Sequence, residues 1–110
     1  MKTLDSKVLE QVIQRIINVL HPETIYLYGS HAYGKTHKNS DVDLLIIIHD
    51  SPLPPHRRAI SAYRALRGLF FPAEIKVITH AEFERRVKWL SSIERIVKEK
   101  GKVLYESKTR

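Results

Sequence analysis

Two aspartates one residue apart, Asp41 and Asp43, lead into the most apolar stretch of the chain, Leu44-Leu45-Ile46-Ile47-Ile48. On an extended strand both side chains point to one face, roughly 6–7 Å apart along the backbone. Two carboxylates that close repel each other, and a divalent cation is the usual compensation. Mg²⁺ takes hard carboxylate oxygens together with substrate phosphates. Glu74 is the only acidic residue between Asp50 and Glu82, and it opens the next apolar stretch. If the two strands are neighbours, Glu74 faces the pair as a third carboxylate. Taken alone, Asp-Val-Asp is equally the pattern of a solvated strand end.

Upstream, Ile25-Tyr26-Leu27-Tyr28 runs directly into Gly29-Ser30. Glycine permits a tight turn and a close approach to a ligand. A helical turn beginning near Ser30 would aim free amides at an anion such as a triphosphate, and the Ser30 hydroxyl would add a donor. Taken alone, Gly-Ser is also an ordinary turn with a cap. Lys35 and Lys38 lie between this turn and the aspartates, as phosphate contacts or as a solvated loop. Arg57 and Arg58 follow a proline-rich loop and are candidates for binding nucleotide or acceptor, or are solvated helix charges. The histidines are scattered without zinc-ligand spacing, so none is assigned a metal. Trp89 and Tyr63 read as core or partner-contact residues.

The elements that must position these residues are legible in the periodicity. Val8, Leu9, Val12, Ile13, Ile16, Ile17 and Leu20 recur at helical spacing and stop before Pro22. Strands are predicted over 25–28, 41–48 and 73–79. The unbroken apolar run of the second suggests burial on both faces at the centre of a sheet. Ser51-Pro52-Leu53-Pro54-Pro55 breaks both helix and sheet. A helix is predicted from about His56 to Leu69, with Ala59, Ile60, Tyr63, Leu66 and Phe70 on one face. Thr79-His80-Ala81-Glu82 fits a capping box. The helical stripe after it runs to about Lys100, with a break near Ser91-Ser92, and Gly101 is a plausible C-cap. Val103-Leu104-Tyr105 would close the domain as an edge strand. The expected architecture is α/β (α+β), a small mixed sheet with helices mainly on one face.

Composition bounds the function. The chain has 110 residues, which fits one domain over 1–110. It has no cysteine, which excludes disulfides, thiolate metal sites and thiol catalysis. Its longest aliphatic run is far short of the ~20 residues that span a bilayer, and Met1 to Glu10 lacks the pattern of a secretory signal. A cytoplasmic protein without membrane association is the expectation. The net charge is +7 and uneven. Residues 1–50 carry 5 Lys/Arg against 6 Asp/Glu, residues 51–79 carry 5 against 1, and residues 80–110 carry 9 against 5. A basic excess favours anionic partners without choosing among nucleic acid, nucleotide phosphate and an acidic protein face.

Leu27-Tyr28-Gly29-Ser30, ten intervening residues, then Asp41-Val42-Asp43 resembles the signature of the minimal nucleotidyltransferases, small members of the DNA polymerase beta-type superfamily. His31-Ala32-Tyr33-Gly34-Lys35 and Ser40 are similar to the family's intervening segment. Glu74 to Thr79 resembles the strand bearing the third carboxylate, and Gly101 to Glu106 the closing segment. The resemblance implies a nucleotidyltransferase fold and transfer of a nucleoside monophosphate, AMP from ATP, to a hydroxyl. It implies two Mg²⁺ ions held by Asp41, Asp43 and Glu74, and phosphates held by Gly29 and Ser30, with Lys38 and Arg57 as further nucleotide contacts. One position departs from the family pattern, which more often has Asp where Glu74 stands. The extra methylene shifts a ligand by about 1 Å, a displacement able to cost ~10²-fold in rate. Larger relatives grip base and acceptor with a further domain, so a separate chain is expected to supply the acceptor. In the family this is often an all-helical HEPN toxin in a hetero-oligomer, modified on a tyrosine, with the small chain as antitoxin. Two other classes stay open: a catalytically weak or inactive module that neutralises its partner by binding, and a basic nucleic-acid-binding module.

Overall fold

The computed structural model describes residues 6–33 and 41–107. Helix α1 (Ser6–Leu20) leads to strand β1 (Thr24–Tyr28) and the one-turn helix α2 (Ser30–Tyr33). Strand β2 (Val42–Ile48) is followed by a 3-10 turn at Pro55–Arg57 and helix α3 (Ile60–Ala65). Then come β3 (Ala73–Thr79), α4 (His80–Arg86), α5 (Ile93–Lys100) and β4 (Lys102–Glu106). The four strands form one sheet in the order β3-β2-β1-β4. β1 is antiparallel to β2 and to β4, and β2 is parallel to β3. The sheet is therefore mixed, as the sequence predicts, and β4 lies at its edge.

β2 is the reason the domain has two apolar layers. Leu44 and Ile46 join Val12 and Ile16 of α1, Ala62 of α3 and Ile75 and Val77 of β3 in the larger cluster. Leu45 and Ile47 point the other way, into a smaller cluster with Ile78, Phe83 of α4 and Val97 of α5. Most helical packing thus falls on one face, with α1, α2 and α3. The second face is not bare, because a strand apolar on both sides needs cover on both. Among the described residues no helix is long and apolar enough to cross a membrane.

The helix predicted over 56–69 is shorter and broken. Its residues form the turn at Pro55–Arg57 and then α3, which ends at Ala65. The cause lies in another element. The Arg15 guanidinium of α1 donates to the carbonyls of Ala65 and Arg67, at 3.1 and 3.0 Å, and so satisfies the end of α3 from outside. The chain then leaves through three-residue turns and Gly68, whose φ of +89° favours glycine. Phe70, expected on the buried stripe, is consequently 93% exposed. The Tyr63 hydroxyl accepts from the Ile75 N–H at 2.8 Å and occupies part of the open edge of β3.

The capping box forms as predicted. The Thr79 side chain accepts from the Glu82 N–H, and the Glu82 carboxylate accepts from the Thr79 N–H. Glu82 also takes a two-pronged bond from Arg58, at 2.7 and 3.2 Å. The Arg58 Nε donates to the Leu53 carbonyl. Arg58 is buried, so it is a clamp joining the proline loop to α4 and not a solvated charge.

The guanidinium holds the Glu82 carboxyl at about 2, well below the 4.5 of an ordinary glutamate. A carboxyl depressed in the folded state contributes stability that is complete above 4.5 and lost as the pH falls toward 2. Arg58→Met, which leaves the half-buried Glu82 carboxylate without its cation, is expected to cost roughly 1–3 kcal/mol at pH 7 in urea unfolding. The same variant should lose part of the acid-induced drop in stability over that pH range.

Candidate active site

The register of three strands places the chemistry. Tyr28 of β1 is opposite Asp43 of β2, and Asp43 is beside Glu74 of β3. Directly paired residues share a face, so the three side chains form one row across the sheet, on the face that α4 and α5 cover. Adjacent strands are about 4.8 Å apart, which brings the Asp43 and Glu74 backbones to that separation. Asp41 lies just before β2 and is exposed, Asp43 is half-buried, and Glu74 is exposed. The neighbouring strand on which the third carboxylate depends is therefore present, with Glu74 in register with the second aspartate.

The electrostatics agree with the register. The Asp43 carboxyl is held above its ordinary value, first by burial and then by the negative charges of Glu74 and Asp41. His31 of α2 pulls in the opposite direction. Among the described residues the site is thus a cluster of carboxylates with His31 acting against them, and Asp41 and Glu74 are open to solvent.

Gly29 closes the row from above. Its φ of +77° lies in the left-handed region. Its missing side chain matters as much as its backbone: a Cβ built there would overlap the Asp43 carboxylate. The Gly29 carbonyl accepts from the Ala32 N–H at 3.0 Å, which turns the chain into α2 directly after the strand. Gly29 and Asp43 therefore constrain each other through two independent features of one residue.

Asp43 is in register with Glu74 and feels the charge of both Glu74 and Asp41, and carboxylates are the hard-oxygen donors that Mg²⁺ prefers. Among the described residues, however, no group of three or more His, Asp or Glu is arranged to hold an ion unaided. That suits an ion completed by substrate phosphates and water rather than by a protein cage.

The other sequence-predicted residues divide. Ser30 begins α2 next to Gly29, but its side chain and the whole of Lys38 lie outside the described residues. Arg57 is not brought to the carboxylates. It sits in the turn after β2, and β2 puts roughly 20 Å of strand between that turn and Asp43. Arg58 is at the same far end, bound to Glu82. These arginines therefore stand at the end of β2 remote from the carboxylates, because the loop carrying them is tied to the start of α4, next to the C-terminal end of β3. Conversely, Lys76 shares the face of Glu74, one row inward beside Leu45, and is exposed. The period-two alternation from Glu74 would have found it.

Residues 6–104 match the family of nucleotidyltransferase domains. The fold is similar to that of a Sulfolobus solfataricus protein assigned as a nucleotidyltransferase, at 20% identity and a TM-score of 0.64, over 91% of this chain and 78% of that one. It is also similar to a chain of a toxin–antitoxin structure with AMP-PNP, at 20% identity and a TM-score of 0.58, over 96% of this chain and 76% of that one. No curated protein sequence matches. The chain belongs to the nucleotidyltransferase domain family, and with it to the transferases.

Gly29→Ala is expected to destabilise the domain by about 1–3 kcal/mol in urea unfolding, from backbone strain and displacement of Asp43. Asp43→Asn should act in the opposite direction. A carboxyl whose folded value is raised costs stability once ionised, so removing its charge raises the thermal midpoint at pH 7 in metal-free buffer. The advantage should vanish below the ordinary aspartate value of 3.8.

Proposed function

We propose that this chain transfers AMP from ATP to a tyrosine hydroxyl of a helical HEPN-type toxin partner and thereby acts as its antitoxin. The observation that carries the chemistry is the register of Asp43 with Glu74 beneath the Gly29 turn. Asp41, Asp43 and Glu74 would hold two Mg²⁺ ions together with the triphosphate, and these ions supply charge stabilisation for the attacking and leaving oxygens. The Gly29 and Ser30 turn receives the β and γ phosphates. Glu74 faces the acceptor and takes the proton of its hydroxyl. A bond forms between that oxygen and the α-phosphorus, the bond from the α-phosphorus to the bridging oxygen breaks, and pyrophosphate leaves. Arg57 has no part in this reading.

The partner part rests on a different footing. One similar fold is a component of a toxin–antitoxin structure with AMP-PNP. That supports the same kind of assembly and an adenine nucleotide for this chain. The row of carboxylates faces solvent on one side, which leaves room for an acceptor from another protein.

A second reading is favoured by one observation, a glutamate at position 74 where the family more often has an aspartate. It is a module that neutralises its partner by binding alone. Calorimetric titration of the chain with ATP, GTP, CTP and UTP in Mg²⁺ separates the two. Heat of ATP binding that disappears in EDTA and in Asp41→Asn/Asp43→Asn is the expected result. Without such heat in either the chain or its co-purified complex, the transferase reading is lost and the binding module stands.

A further inference from the structure

The segment from α4 to α5 carries large apolar side chains that the fold does not use. Trp89 is 56% exposed, Leu90 80%, Ile93 41% and Ile96 42%. They are held outward by a defined turn. The Trp89 N–H donates to the Arg86 carbonyl, and the Ser92 hydroxyl lies 2.7 and 3.0 Å from the Arg86 and Trp89 carbonyls. The same hydroxyl caps α5 by accepting from the Arg95 N–H. On α5 itself, Glu94 and Val97 are buried, whereas Ile93, Ile96 and Lys100 align at helical spacing along an open flank.

The rim is cationic. Arg86 and Arg95 are engaged by Glu94 and Glu99. Arg85, Lys88 and Lys100 are exposed and have no carboxylate partner among the described residues. An aromatic anchor and aliphatic neighbours inside a charged rim form the usual centre of a protein interface.

We propose that the α4–α5 turn and the open flank of α5 bind an acidic protein surface. Trp89 and Leu90 would enter an apolar cleft, and Arg85, Lys88 and Lys100 would meet its carboxylates. A second copy of this chain would set these cations against their equivalents, which repel. Trp89 alone offers nucleic acid a stacking face; Leu90, Ile93 and Ile96 around it are aliphatic and give a base neither a hydrogen bond nor a stack. The proposal locates the partner surface of the toxin–antitoxin reading and rests on that part of it. It does not depend on the transfer chemistry, so nucleotide titration and the test below can fail separately.

Trp89 is the chain's only tryptophan, so its emission reports on this patch directly. The full chain is titrated with a synthetic amphipathic peptide whose leucine stripe is flanked by glutamates. The arms are the same peptide flanked by lysines, vesicles of phosphatidylglycerol and phosphatidylcholine, and a single-stranded RNA. Expected is a saturable blue shift with the acidic peptide alone, weakened by salt. Leu90→Asp should weaken it roughly tenfold or more, and Arg85→Glu/Lys88→Glu should transfer preference to the lysine peptide. Thermal melts check that the variants fold, and the charge-reversed variant decides if Leu90→Asp does not. No shift, an equal response to both peptides, or a response to vesicles or RNA alone overturns the proposal. So does Trp89 burial that depends only on the concentration of the chain itself.

Discussion

Everything in this domain turns on β2 being apolar on both faces. From Leu44 to Ile48 it offers water nothing, so a layer must cover each side, and it takes the inner position between β1 and β3. Polar side chains are tolerated only at its entrance. Asp41 and Asp43 are there, where the strand emerges from its cover. The reactive end of the molecule is thus fixed by where the core stops.

The site then follows from the neighbours of that entrance. β1 arrives antiparallel and ends where β2 begins, so the turn at Gly29 must pass over Asp43. β3 runs parallel and starts at the same level, so Glu74 arrives beside Asp43. Burial of Asp43, and after it the negative charges of Glu74 and Asp41, raise its carboxyl above the ordinary value. That is a local cost to stability which a bound cation would offset. The buried cluster behind the row packs beneath this face, with Tyr26 stacked on Phe83 at 6.1 Å between centroids.

The opposite end of the sheet is organised by a different charge. Arg58 and Glu82 pair in a mostly buried setting and join the proline loop to the first turn of α4. A pair of this kind contributes little net stability over apolar packing, but removing one partner leaves the other charge stranded. It also keeps the arginines away from the carboxylates. Among the described residues, Arg15, Arg58 and Arg86 serve as structural clamps, while Arg85, Lys88 and Lys100 stay exposed around the apolar turn of α4 and α5.

The sequence by itself determined the strands, the capping box, the break before α5 and the carboxylates, because each is written in short-range pattern. Alternation, caps and Gly-Ser followed by Asp-Val-Asp depend on residues within one element or two. It also suggested that β2 is buried on both faces. It did not determine strand order, and so it left open whether Glu74 meets Asp43. It overextended the helix after the proline loop, because the residue that ends α3 is Arg15, fifty positions away on α1. It offered Arg57 and Arg58 as nucleotide or acceptor contacts or solvated charges; only the structure shows Arg58 tied to Glu82 at the end of β2 remote from Asp43. Only the tertiary structure decided these points, since each rests on a pairing between distant segments. The Asp43 carboxylate beneath Gly29 is the clearest case: the two residues are named by the sequence, but only the antiparallel return of the chain sets one against the other.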